Sequence, residues 1–244
     1  MNGVWAVFYR EMLLLRRRKH RFVASITVTP LLYLLAFNYA ADGADVNGVP
    51  YVSFLVVGLA AMTCMMQGYS IGSEINVARF YWKIFEEVQC SPVSGRAYVL
   101  GETLAGSVRA LISVMVVVAV GIALGAISFP GPLFWFAVFL LGTVFSSLAV
   151  WMAMVVRGHQ DQMMLSTFVI TPMAFLGGTF FPVDRLPQWA QWVVEWLPIS
   201  LAADAMRASA LDLGVVGWSA PTALLVMAGI FYHMACRSVS KSRM

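Results

Sequence analysis

Charged residues are scarce in this chain. Asp, Glu, Lys and Arg make up 11% of its 244 residues, whereas an ordinary soluble domain carries about 25%. The remaining composition is 60% hydrophobic and the mean hydropathy is +0.79, which argues strongly against a soluble enzyme. Nucleic-acid binding is equally disfavoured, because the 16 basic residues exceed the 12 acidic residues only slightly.

The chain also lacks the residue groups that carry most chemistry. Its 3 cysteines, at positions 64, 90 and 236, are too scattered for a disulfide framework or a metal cluster. It contains no GxxxxGK[ST] phosphate-binding loop. The long apolar stretches contain no cluster of acidic, basic or histidine residues. We therefore predict no catalytic residue, no metal site and no resident cofactor, and we expect any energy source to lie on another protein.

Long apolar stretches dominate the rest of the sequence. A helix rises about 1.5 Å per residue, so crossing a hydrocarbon core of roughly 30 Å takes about 20 apolar residues. Pro30 and Pro172 fall inside the first and fifth stretches, where each is expected to kink its helix. The sequence predicts an all-α polytopic membrane protein with one domain over residues 1–244. Its six transmembrane helices are expected at about 22–41, 51–72, 110–128, 133–156, 163–181 and 215–236.

The distribution of basic residues predicts the orientation. Short cytoplasmic loops carry an excess of Lys and Arg. With six spans, every Lys and Arg except Arg185 and Arg207 falls on one side of the membrane. Both termini are therefore predicted to be cytoplasmic.

The segment 3–20 is predicted to form an amphipathic helix that lies in the membrane interface. Its apolar residues recur at helical spacing, and its basic residues lie elsewhere around the helix. It acts either as a topology anchor alone or also as a contact for a cytoplasmic partner. The apolar stripe consists of Trp5, Phe8, Met12 and Leu15, and the basic residues include Arg10, Arg16 and Arg17.

The segment 73–109 is predicted to be the longest cytoplasmic loop. A short helix in it presents an apolar face and is expected to stop before Pro92. That face packs either on the protein's own helices or in a groove on a partner. Glu102 and Arg109, seven residues apart, are expected to share a face within an ion-pair cluster. The apolar face consists of Phe80, Ile84, Phe85 and Val88.

The segment 182–214 is predicted to lie on the outer side as two short helices. Trp189, Trp192 and Trp196 share one face of a helix bounded by Pro187 and Pro198, and tryptophan favours the membrane–water boundary. A second helix is expected to begin with Ser200 as its cap. Both helices are too short to span, so the segment is either an aromatic anchor or a re-entrant lid at the outer mouth.

Two motifs resemble a known family. KIFEEVQCSPVSGRAYVLGE, at 83–102, resembles the loop after the second span of the type-2 ABC transporter permeases. TPMAFLGGTFFPVDRLPQWAQWVVEWLP, at 171–198, resembles their fifth span and outer re-entrant helices. The layout over the whole chain is similar to the branch that exports nodulation factors, polysaccharides and drugs.

This resemblance implies an exporter subunit in a bacterial inner membrane. Two copies of the chain would form the pathway, and two separate ATPase subunits would bind ATP and Mg²⁺; no nucleic acid is involved. The resemblance implies an ATPase contact at Ile84, Phe85, Glu86, Glu87 and Val88, a connecting helix with Trp5, Phe8, Met12, Arg16 and Arg17, and an outer gate with Phe180, Phe181, Trp189, Trp192 and Trp196. The residues that contact substrate are not implied.

Two other classes are weaker alternatives. An intramembrane lipid-modifying enzyme predicts clustered acids, histidines or arginines around a pocket at one membrane face. A stand-alone channel or secondary carrier predicts polar residues within the spans or two related halves. The sequence offers neither pattern. The uncharged spans, rich in Met, Phe and Leu, favour an amphipathic or lipid-like cargo over a small ion.

Overall fold

The computed structural model describes residues 2–41, 45–46, 48–85, 90–156, 158–211 and 218–241. The elements named below all belong to these ranges. The helices are α1 (Asn2–Arg17), α2 (Lys19–Ala41), α3 (Tyr51–Phe80), α4 (Gly95–Ala123), α5 (Pro132–Val155), α6 (His159–Leu165), α7 (Thr171–Leu176), α8 (Gln188–Val194), α9 (Pro198–Ala210) and α10 (Ser219–Lys241). A short antiparallel hairpin, β1 (Asp45–Val46) and β2 (Val49–Pro50), joins α2 to α3.

Five helices in the described residues are long and apolar enough to cross a membrane. They are Lys19–Phe37 within α2, and the whole of α3, α4, α5 and α10. The 30 residues of α3 rise to about 45 Å, which exceeds a hydrocarbon core of about 30 Å. The all-α polytopic fold is therefore confirmed.

The predicted fifth span, 163–181, is an interrupted helix. The helix α6 continues into a π-helical turn, Ser166–Ile170, and then into α7. Pro172 lies in the first turn of α7 and has no N–H to donate to the preceding turn. The Ser166 carbonyl accepts hydrogen bonds from the backbone N–H and the hydroxyl of Thr171. The kink expected from Pro172 is thus a widened turn, and a count of six spans stays a prediction.

Helical structure extends into both ends of the predicted cytoplasmic segment 73–109. The helix α3 continues to Phe80 and α4 begins at Gly95, so the connection comprises only residues 81–94. Hydropathy falls in these extensions, but their polar side chains have partners on other helices. Asn76 donates to Gln162 at 3.2 Å, and Arg79 donates to the Ala153 carbonyl at 2.9 Å.

Other predicted boundaries shift by a few residues. The helix α2 begins at Lys19, α4 ends at Ala123 rather than near 128, and α10 covers Ser219–Lys241. The predicted outer helix after Pro187 is α8. The next helix begins at Pro198, with no cap from Ser200. Residues 212–217 lie outside the described residues. They comprise the end of the predicted segment 182–214 and the start of the predicted sixth span.

Close helix contacts at glycine hold the bundle together. The helix α3 lies at its centre and packs against α4, α5 and α9, while α10 covers α5 and α1 lies on α4. A methyl group at Gly106 of α4 would collide with Ser146 of α5, and one at Gly68 would meet the Gly142 carbonyl. These glycines allow the helices to approach closely because they bring no side chain of their own into the contact.

Gly58 provides a test of this packing. A Cβ atom at Gly58 would lie far inside van der Waals contact with the Thr179 carbonyl, whereas one at Gly229 of α10 has no atom within 4 Å. We expect Gly58→Ala to destabilise the protein by about 1–3 kcal/mol through overpacking and Gly229→Ala to leave stability unchanged or raised. Thermal unfolding in detergent measures both. Equal melting temperatures for the two variants would contradict this contact.

Candidate functional site

The N-terminal helix docks on α4 through residues that lie outside the apolar stripe predicted for the membrane interface. Val7 and Glu11 are buried, and a Cβ atom at Gly101 of α4 would collide with Val7. Trp5 is 62% exposed and stacks edge-on against Phe8 at 5.7 Å. Phe8, Met12 and Leu15 of the predicted stripe are half-buried, and Arg16 and Arg17 are exposed. One face of α1 is thus occupied within the chain, while Trp5 remains available to lipid or a partner.

A buried ion pair holds α1 in place. The Arg10 guanidinium lies 2.7 Å from Glu11 and 2.7 Å from Glu102 of α4, and Glu102 is fully buried. Burial opposes the charged form of Arg10, but the Glu102 and Glu11 carboxylates outweigh it and raise the pKa of Arg10 above its ordinary value. Because one cation serves two carboxylates on different helices, Arg10 fixes the position of α1.

Arg109 belongs to a second ion pair rather than to the cluster around Glu102. Its guanidinium lies 2.9 Å from Glu74 of α3 and 5.7 Å from the ring of Phe22 in α2. The expectation of ion pairing for Glu102 and Arg109 is confirmed, but the expectation of one shared cluster is wrong. The ion pair of Glu102 joins α4 to α1, and the ion pair of Arg109 joins α4 to α3.

The segment after α3 divides into an anchored part and an exposed part. Phe85 is 7% exposed, and its ring lies 5.7 Å from that of Tyr98 in α4. Tyr81 and Trp82 are 69% and 53% exposed. Ile84 is half-buried. Of the predicted ATPase contact, Phe85 therefore packs on the chain's own helix, and residues 86–88 lie outside the described residues.

Four aromatic rings meet near the predicted outer end of the bundle. Phe180 is buried, and its ring lies 4.9 Å from Phe37 and 5.2 Å from Tyr33 of α2. It also stacks on Phe175 of α7 at 5.1 Å, and its carbonyl accepts from the Tyr51 hydroxyl at 2.9 Å. We call Tyr33, Phe37, Phe175 and Phe180 the aromatic cluster. It joins the first span, the interrupted helix and the start of α3.

The remaining residues of the predicted outer gate are not part of the aromatic cluster. Trp189, Trp192 and Trp196 are all exposed, and Phe181 is half-buried. Trp189 and Trp192 share one side of the short helix α8. The structure brings Phe180 together with aromatic residues of α2 and α7, and it leaves these tryptophans on the surface.

Arg207 of α9 is a buried residue that sequence reasoning did not place in the site. Its guanidinium donates to the Gly178 carbonyl and lies 3.8 Å from the centre of the Phe54 ring. Burial lowers its pKa to about 10, although Asp204 at 3.6 Å favours the charged form. The spacing of Asp204 and Arg207 was the only signal in the sequence, and spacing does not reveal burial.

Two parts of the bundle surface are apolar and open. Most side chains of α2 are exposed, among them Leu31, Leu32 and Leu35. The interrupted helix likewise exposes Phe168 and Met164. Between α2 and α3 lies a cavity of about 230 Å³, with Thr29, Tyr33, Met62, Thr63, Met66 and Gln67 in its wall. Uncharged polar groups and apolar side chains therefore line the cavity together.

A polytopic helix bundle with a mixed polar and apolar cavity along one span has the features of a membrane permease. The ABC-2 type transporter family model matches residues 2–211, and the chain belongs to that family. It is a transport permease.

Curated relatives agree with this assignment. Nodulation protein J of Sinorhizobium fredii is 31% identical over 74% of this chain and 70% of that protein. The inner membrane transport permease YadH of Escherichia coli is 26% identical over 87% of this chain and 84% of its own length. The daunorubicin resistance ABC transporter permease protein DrrB1 of Streptomyces coeruleorubidus is 26% identical over 84% of this chain and 74% of its own.

Removal of the Arg10 guanidinium should release α1. Arg10→Met leaves Glu11 and Glu102 without their shared cation, and an unpaired buried charge costs roughly 3–5 kcal/mol. We expect faster amide hydrogen exchange over residues 2–17 and unchanged exchange in α5. Arg16→Met, which removes an exposed basic residue of the same helix, should have no such effect. Equal exchange in the two variants would show that α1 does not depend on this ion pair.

Proposed function

We propose that this chain is the membrane subunit of an ATP-driven exporter in an inner membrane, with both termini cytoplasmic. Two copies form the pathway, and two separate ATPase subunits bind ATP and Mg²⁺ on the cytoplasmic side. The family match over residues 2–211 carries this proposal. The names of two relatives, an inner membrane transport permease and a drug-resistance ABC transporter permease, support it.

The segment after α3 is the proposed contact for the ATPase. Tyr81 and Trp82 project from the bundle, while Phe85 holds the segment against Tyr98. Exposed aromatic residues are frequent energetic centres of protein interfaces. A movement of Tyr81 and Trp82 would pass through Phe85 to α4, and from α4 to α1 through the ion pair of Arg10 and Glu102. Ile84, Glu86, Glu87 and Val88 remain in the proposed contact.

The aromatic cluster is the proposed outer gate of the pathway. Phe180 and Phe175 contact Tyr33 and Phe37 of α2, so opening the outer side requires these rings to separate. Aromatic pairs contribute about 0.5–1.5 kcal/mol beyond the area they bury.

A second copy of the chain is the proposed neighbour of the open faces. The transmembrane part of α2 is mostly exposed, and the interrupted helix exposes Phe168 and Val169. A pathway formed between two copies would place the cavity between α2 and α3 beside the other subunit. This arrangement accounts for polar groups such as Thr29 and Gln67 on the margin of the bundle rather than in its core.

The proposed cargo is amphipathic, such as a glycolipid, a lipid-linked saccharide or a hydrophobic drug. The cavity between α2 and α3 has apolar walls from Ile26, Leu59 and Met62 and hydroxyl or amide groups from Thr29 and Gln67. No charged residue lines it among those described. A mixed lining of this kind favours ligands with both apolar and neutral polar parts.

Co-purification tests the ATPase contact. The full chain, isolated in mild detergent, should retain an equimolar soluble protein that has a phosphate-binding loop, identified by mass spectrometry. Truncating two aromatic centres of an interface costs at least about 2 kcal/mol each, so Tyr81→Ala with Trp82→Ala should reduce retention more than 10-fold. Trp189→Ala, at a tryptophan that is even more exposed than Trp82, should retain the partner. Full retention by the double variant would place the contact elsewhere.

Stimulation of the partner's ATPase activity tests the cargo class. We expect glycolipids and hydrophobic drugs to stimulate the assembled complex and inorganic ions to have no effect. Gln67→Leu should weaken stimulation by roughly 5-fold or more, because a buried polar cargo group would lose a hydrogen bond of about 1–3 kcal/mol. Basal hydrolysis should not change. Stimulation by inorganic ions alone would rule out an amphipathic cargo.

A further inference from the structure

Another cavity, larger than the one between α2 and α3, lies at the end of the bundle that is predicted to be cytoplasmic. The aromatic cluster lies at the opposite, predicted outer end. The larger cavity has a volume of about 710 Å³ and lies between the first turn of α4 and the last turns of α10. Arg96 projects from α4, and His233, Arg237 and Lys241 project from α10. The cavity belongs neither to the proposed cargo route between α2 and α3 nor to the proposed ATPase contact.

The charges in this cavity all have one sign. Arg96, Arg237 and Lys241 line it, and no carboxylate is among its lining residues in the described part of the chain. None of these three forms an ion pair with an acidic residue that the structure describes. Like charges gathered around one space repel each other, so the site is complementary to an anion.

The two walls of the cavity are fixed by direct packing. A Cβ atom at Gly95 would lie 3.2 Å from Val239 of α10, and the Tyr232 hydroxyl lies 3.4 Å from the Arg96 carbonyl. These contacts lie more than one helical turn apart on α10. The backbone at Arg96 is therefore held opposite α10, which places the Arg96 side chain beside the basic residues of that helix.

One face of α10 changes from apolar to basic residues at this cavity. Val226 and Ile230 are exposed apolar residues, and His233, Arg237 and Lys241 continue the same face at spacings of three and four. A membrane-spanning helix shows such a change where the hydrocarbon region meets the headgroups. The basic residues thus begin at the level of lipid phosphates, directly beyond an apolar track that suits an acyl chain.

We propose that this cavity binds the headgroup of an anionic phospholipid from the cytoplasmic leaflet. Arg96 and Arg237 pair with the phosphate from opposite walls, and Lys241 contributes further positive charge. Tyr232 and Cys236 provide the wall beside the glycerol backbone. The acyl chains lie along Val226 and Ile230. Basic pockets between transmembrane helices on the cytoplasmic side bind lipid headgroups in this manner.

Native mass spectrometry of the full chain tests the site. The protein is titrated with phosphatidylglycerol or cardiolipin, and with phosphatidylcholine as the zwitterionic control. Each basic residue near a membrane surface contributes about 5-fold in affinity, so Arg96→Gln with Arg237→Gln should weaken anionic lipid binding about 30-fold. Binding of phosphatidylcholine should not change. The matched control is Arg185→Gln, which removes an exposed arginine in the turn that precedes α8. This variant should bind lipid as the wild type does.

Three outcomes would overturn the proposal. The first is wild-type lipid binding by the double variant. The second is displacement of the lipid by inorganic phosphate at equal concentration, which would indicate a site for a soluble anion. The third is unchanged lipid binding together with loss of a co-purifying ATPase, which would make the basic cavity a protein contact. Arg237→Lys keeps the positive charge and should retain most of the affinity. That result would show that the loss in the glutamine variant is not a folding defect.

Discussion

The ion pair between Arg10 and Glu102 is the contact on which the geometry of the predicted cytoplasmic side depends. Glu102 is fully buried in α4, and a buried carboxylate without a partner is costly. Arg10 supplies that partner from α1 and also pairs with Glu11. The position of α1 therefore follows from the need to satisfy one acidic residue inside α4. Apolar contact alone would not select this face of α1, because Trp5 on another face is exposed.

The same helix, α4, collects three connections. Glu102 faces α1, Arg109 pairs with Glu74 of α3, and Tyr98 packs against Phe85 in the segment that follows α3. These residues lie within three turns of one another at the start of α4. The segment after α3 is thus connected through α4 to both α1 and α3 at this end of the bundle.

Hydropathy predicted the spans well and their ends poorly. An apolar run long enough to span a membrane must satisfy its backbone hydrogen bonds internally and therefore forms a helix. The all-α fold class thus followed from composition. The ends of α3 and α4 depend on partners far away in sequence, such as Gln162 for Asn76, and periodicity does not contain that information. The burial of Arg207 was not predicted for the same reason, and the two alternatives left open for Phe85 could be separated only by its contact with Tyr98. The exposed tryptophans of α8 lie on the predicted helix but do not join Phe180.

The predicted outer side of the bundle combines a fixed turn with a loosely held helix. Gly178 has a φ of 73°, a conformation that suits glycine, and its carbonyl accepts from buried Arg207. Gly58 of α3 lies against Thr179, so the turn is held from two sides. The helix α2, in contrast, packs against few neighbours, and the aromatic cluster supplies much of its contact there. Because the turn that bears Phe180 is held by a backbone contact and a buried cation, the proposed outward opening would move α2 rather than the turn.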